Sequence, residues 1–122
     1  MNTEFYRDFM LIRIADYLLS VIEDMPDGVD MRDYIYKALK TQSGRIYVIC
    51  ILNPVWSPCD ISSEQIEDPV ISRLSDRVFA LLTDGIFVNY SDRKKAVETI
   101  KYHLDAEISM MCLLMSMKNL EE

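Results

Sequence analysis

From Ser91 to Glu122 the chain reads as one long helix, and its last turns are the constraint the rest of the fold must satisfy. Val97, Ile100, Leu104, Ile108, Met111 and Met115 recur at helical spacing on an inner stripe. The stretch from Ile108 to Met117 is apolar and rich in methionine. A helix this apolar must be the post of a small core or cover another chain. Methionine suits both uses, because its flexible thioether fills irregular gaps and tolerates repacking. Met111, Met115 and Met117 are therefore candidates for a partner-binding surface.

Half of the 122 residues are hydrophobic, and only three are Gly and four Pro. A chain of this size buries a core without disulfides or metal, and its composition favours long regular elements in one domain over residues 1–122. Residues 3–25 read as the first helix. One row holds Phe5, Phe9, Ile12, Ala15, Leu19 and Ile22; a second holds Met10, Ile14, Tyr17, Leu18 and Val21. Two rows leave a narrow polar band and predict a helix buried on several sides. Pro26-Asp27-Gly28 ends it, and Asp30 caps a second helix whose inner face is Met31, Tyr34, Ile35, Ala38 and Leu39.

Ser43-Gly44 reads as the stop of that helix. Every interior position from Ile46 to Leu52 is apolar, so periodicity says nothing, and β-branched content with flanking Gly and Pro favours a buried strand. That strand would form a short two-stranded pair, 46–52 with 86–90. Ser62 with Gln65 has the spacing of a capping box, and Asp68-Pro69 reads as a fresh helix start ahead of Leu74, Val78 and Leu81. Ser91 is the expected cap of the last helix. The expected fold is mainly α, a compact bundle of four to five helices with room for that one β pair. Its first and last helices form the core.

Acids outnumber bases 20 to 13, for a net charge of −7. Nucleic-acid affinity rests on Lys and Arg neutralising phosphates, and the densest basic patch is only Arg93-Lys94-Lys95 at a helix start. No nucleic-acid partner is expected. An acidic surface is repelled by anionic lipid, and the longest apolar run falls far short of the ~20 residues that span a bilayer, so no membrane partner is expected either. The three cysteines, Cys50, Cys59 and Cys112, have no metal-ligand spacing and are odd in number. Free thiols and the lack of a secretory leader fit a cytoplasmic protein.

Chemistry finds little to stand on. Cys59 with His103, the one histidine, could form a nucleophile and base, but no signature surrounds either. One His and scattered Cys do not make a zinc site. Asp24, Asp27, Asp30 and Asp33 lack the residue order of a calcium loop, and no glutamate stands twelfth from Asp24. No cofactor is expected. The acids do cluster twice, as Asp24, Asp27, Asp30 and Asp33 in the first turn and as Asp60, Glu64 and Glu67 in the central connection. Such clusters cap helices and keep a domain soluble, and they also recognise a basic partner. The expected function is that of a non-enzymatic protein-binding module: a small acidic inhibitor, immunity, adaptor or chaperone-type protein acting on another protein. The alternatives are a homo-oligomer, most simply a homodimer, or a thiol-dependent enzyme using Cys59.

Overall fold

The structure, a computed structural model, describes residues 3–52, 63–83 and 92–121; of residues 3, 63–69 and 115–121 it describes the main chain alone. Five helices account for nearly all of it: α1 (Thr3–Glu23), α2 (Met31–Lys40), α3 (Ser43–Ile51), α4 (Ser63–Thr83) and α5 (Arg93–Glu121). The described residues contain no strand. The protein is a mainly-α bundle.

The α1–α2 connection follows its residues closely. Gly28 takes a φ of 83°, the left-handed region that an L side chain rarely adopts. Asp30 then caps α2, its Oδ1 accepting the main-chain N–H groups of Arg32 at 3.0 Å and Asp33 at 3.4 Å. Those bonds satisfy two donors that have no partner inside the helix.

Three expectations need correction. Ser43-Gly44 opens α3 rather than stopping α2, and the corner is Thr41-Gln42. Gly28 is the one glycine with positive φ among the described residues, so Gly44 does not supply a left-handed cap. Thr41 Oγ1 instead donates to the Ala38 carbonyl at 2.6 Å. The 46–52 segment is helical, not a strand. As a helix it places Ile46, Ile49 and Cys50 on one buried face against α1, α4 and α5, and packing on three neighbours overrides β propensity. The proposed partner strand, 86–90, lies outside the described residues. Finally, α4 runs unbroken through Asp68-Pro69. Proline at its seventh position removes one main-chain donor without ending the helix.

The expected cap of α5, Ser91, lies outside the described residues; Asp92 directly precedes the helix. Asp92 Oδ1 accepts the Lys95 N–H at 3.3 Å, and its carbonyl accepts from Ala96 at 3.0 Å.

α5 packs on α1, α3 and α4. It buries Ala96, Ile100, Leu104, Ile108 and Cys112, a strict four-residue repeat. α1 lies antiparallel to it. Arg7 pairs with Asp105 at 2.6 Å and Lys101 with Asp8 at 2.8 Å near one end, while Arg93 meets Asp16 and Glu23 near the other. α4 also runs antiparallel to α5, with Arg73 on Glu107 and Arg77 on His103. From α1 the core takes Leu11, Ile14, Ala15, Leu18 and Leu19. Of the row Phe5, Phe9, Ile12, Ala15, Leu19 and Ile22, Ala15 and Leu19 are buried, whereas Phe5, Phe9 and Ile12 are exposed, against expectation. α1 carries more apolar circumference than α2, α3 and α5 together cover.

Candidate partner-binding surfaces

The acidic turn is exposed, and half of it has a structural duty. Asp30 caps α2, and Asp33 Oδ2 holds Lys37 Nζ at 3.0 Å one turn along the same helix. Asp24 and Asp27 project from the turn and form no ion pair with a described residue. Asp60 lies outside the described residues. Glu64 and Glu67 fall on the first turns of α4, with side chains outside the described set. Of the two acidic clusters, only the first falls among the residues whose side chains are described.

The methionines divide differently than expected. Met111 is half-buried against the core. Met115 and Met117 lie on α5, with side chains outside the described residues. The exposed apolar side chains near that end are Met110, Leu113 and Leu114. Met110 Sδ accepts from Arg73 Nη2 at 3.7 Å, so it sits beside an ion pair rather than in the core.

A third surface, unanticipated, lies on the outer side of α1. Phe5, Tyr6, Phe9 and Ile12 are between 41% (Ile12) and 70% (Phe5) exposed. Beyond Phe9 this row runs into a groove of about 840 Å³ between α1, the start of α3 and the first turns of α5. Phe9, Ile12, Tyr17 and Val97 supply its apolar lining, and Arg13, Arg45, Arg93 and Lys94 stand around it with Asp16 and Glu98. Arg93 is tied down: it donates to Asp16 Oδ1 at 2.8 Å, to Ser20 Oγ at 2.9 Å and to Glu23 Oε1 at 3.0 Å. Bonding to Asp16 above all holds its guanidinium charged. Arg45 bonds the neutral Gln42 amide, and the Arg13 guanidinium lies over the Phe9 ring at 5.6 Å. No carboxylate among the described residues pairs with Arg13 or Lys94.

Nucleophile chemistry gains nothing from the geometry. Cys50 and Cys112 are buried free thiols, with Cys112 Sγ 3.9 Å from the Cys50 carbonyl. The neighbouring Cys112 sulfur, and then burial, push the Cys50 thiol far up, so it stays protonated and unreactive. Cys59 lies outside the described residues. His103 faces Arg77, Nη2 to Nδ1 at 3.0 Å. A guanidinium can only donate, so Nδ1 accepts and the ring proton resides on Nε2. Burial, then the Arg77 charge, lower the His103 pKa, with Glu107 opposing. Among the described residues no group of three or more His, Cys, Asp or Glu is placed to hold a metal ion. No described helix is long and apolar enough to cross a membrane.

The groove eluded sequence reasoning because its cations come from positions 13, 45, 93 and 94, on three helices. Its two faint signals were the Arg93-Lys94-Lys95 run and the surplus of apolar residues on α1. No protein-family model, curated protein or solved structure matches this chain.

Proposed function

We propose that the chain is a non-enzymatic binding module that acts on another protein, as an inhibitor, immunity protein, adaptor or chaperone. One observation carries the reading: the exposed apolar row Phe5, Tyr6, Phe9 and Ile12 on a helix whose opposite face is fully in the core. Large apolar side chains that adjoin one another on the surface, rimmed by charge, mark contact sites more often than scattered single ones do. Aromatic and arginine residues are also the types that anchor interfaces.

Affinity capture from nuclease-treated lysate of the native host, at low and high salt, tests it. The wild type is expected to retain one stoichiometric partner that the double variant Phe5→Asp/Phe9→Asp releases. Identical recoveries from the two proteins would remove the reading.

A second reading, self-association through α5, rests on the exposure of Met110, Leu113 and Leu114. A solution mass twice the 14.2 kDa of the chain, abolished by Leu113→Lys, is its expected signature. A monomeric mass at high concentration removes it.

A further inference from the structure

Charge sets the groove apart from the rest of the molecule. The chain carries a net −7, yet four cations and two carboxylates line this one site. Arg93 spends its charge on Asp16 and Glu23, which leaves Arg13, Arg45 and Lys94 to face an incoming group. Between them lies an apolar floor of Phe9, Ile12 and Val97. Positive rim and apolar floor together call for an occupant that is apolar on one side and anionic on its flanks.

Length decides the kind of occupant. From Phe5 to Tyr17 the exposed row and the groove follow α1 for about 18 Å at 1.5 Å per residue. That is more than three helical turns, longer than a compact metabolite needs and matched to a helix of about 12 residues. A nucleic-acid strand fits less well, because beyond the groove its phosphates would meet a surface of net negative charge.

Building on the binding-module reading, we propose that this groove receives an acidic amphipathic helix of a partner protein. Leu- or Phe-type side chains of that helix, at i, i+3/i+4 and i+7, rest on Phe9, Ile12 and Val97. Its Asp and Glu side chains meet Arg13, Arg45 and Lys94. This is helix-in-groove recognition, with apolar anchors supplying affinity and flanking charges supplying register and association rate.

The test uses a fluorescein-labelled 14-residue helical peptide with Leu at the anchor positions and Glu on both flanks. A twin peptide carries Lys in place of every Glu, and both are read by anisotropy against the whole protein. The acidic peptide is expected to bind at least tenfold tighter than its twin and to weaken severalfold between 0.05 and 0.5 M salt. Arg13→Glu/Lys94→Glu is expected to cost it at least tenfold and to favour the twin. Both positions are exposed, and an unchanged far-UV spectrum confirms that the variant folds. Amide shift mapping on the wild type needs no variant at all. Perturbations should centre on Ile12 and Val97 and spare Val78 in α4.

Equal binding of the two peptides, shifts centred elsewhere, or tighter binding of an oligothymidylate would each overturn the proposal. So would a stable dimer that buries Phe9. Absence of peptide binding at 1 mM overturns it too. If in that case the captured partner still depends on Phe5 and Phe9, the groove assignment fails and the binding-module reading survives; if neither dependence is seen, both fail.

Discussion

The two faces of α1 are nearly equal in apolar content and opposite in fate. Leu11, Ile14, Ala15, Leu18 and Leu19 are wholly enclosed, while Phe5 is largely exposed and Phe9 and Ile12 are about half exposed. Side-chain chemistry does not separate them. What separates them is coverage: α5 crosses one side of α1, and its ion pairs at Asp8, Asp105 and Asp16 mark where that coverage stops. Hydrophobicity states what a residue would gain by burial, and topology decides whether the gain is collected within the chain or left for a partner.

The largest expected effect breaks the symmetry directly. Leu18→Ala should cost about 2–5 kcal/mol in urea unfolding, since it opens a cavity in an enclosed site. Phe9→Ser on the other face should change stability by less than about 0.5 kcal/mol. Similar losses at the two positions would mean that the outer face is covered within the chain. Next comes the seam between the faces. Arg7 is mostly buried, its Nε has no hydrogen-bond partner among the described residues, and its Nη1 depends on Asp105. Asp105→Ala should therefore cost about 1–3 kcal/mol by the same measurement, as a half-buried cation loses its acceptor.

Ser75 tests the covered side from within α4. Its Oγ is buried without a partner among the described residues, so Ser75→Ala should stabilise by up to about 1 kcal/mol, read as a higher denaturation midpoint at constant slope. A loss instead would show that the hydroxyl is bonded. The smallest effect concerns half-covered His103. Burial and Arg77 lower its pKa in the folded protein, whereas the unfolded chain takes up a proton near the ordinary value of about 6.5. Between those values the unfolded state binds more protons, so stability rises with pH and falls on acidification through about 6.5. The stability difference between wild type and His103→Gln should carry that slope below about pH 6.5 and become independent of pH above about pH 7.5.

Legibility in the sequence followed the same division. α1, α2 and α5 were readable, and Asp30 was placed as a cap, because periodic apolar residues and capping chemistry are local. α3 was not, because an unbroken apolar run has no period and only its three neighbours choose between helix and strand. The start of α4 is ambiguous in sequence because Asp68-Pro69 is chemically a good helix start, yet a proline near the beginning of a helix can also be carried through. On α1 both rows have helical spacing, and nothing local says that the cover will take Ala15 and Leu19 from one and Ile14 and Leu18 from the other while leaving Phe5, Phe9 and Ile12 exposed. The acidic turn was legible as a cluster, since its members adjoin in sequence. The basic groove was not, since Arg13, Arg45 and Lys94 meet only after three helices have docked.

The bond between Arg7 and Asp105 joins residues 98 positions apart. At a synthesis rate of about 5–20 residues per second, roughly 5–20 s pass between the making of one partner and the other. For that interval the inner face of α1 has only α2 and α3 to lie against, and the part that α5 will cover presents its apolar side chains to water. The first helix to be made is thus among the last to be fully enclosed. Arrival of the final helix completes the covered side of α1 and leaves Phe5, Phe9 and Ile12 outside it.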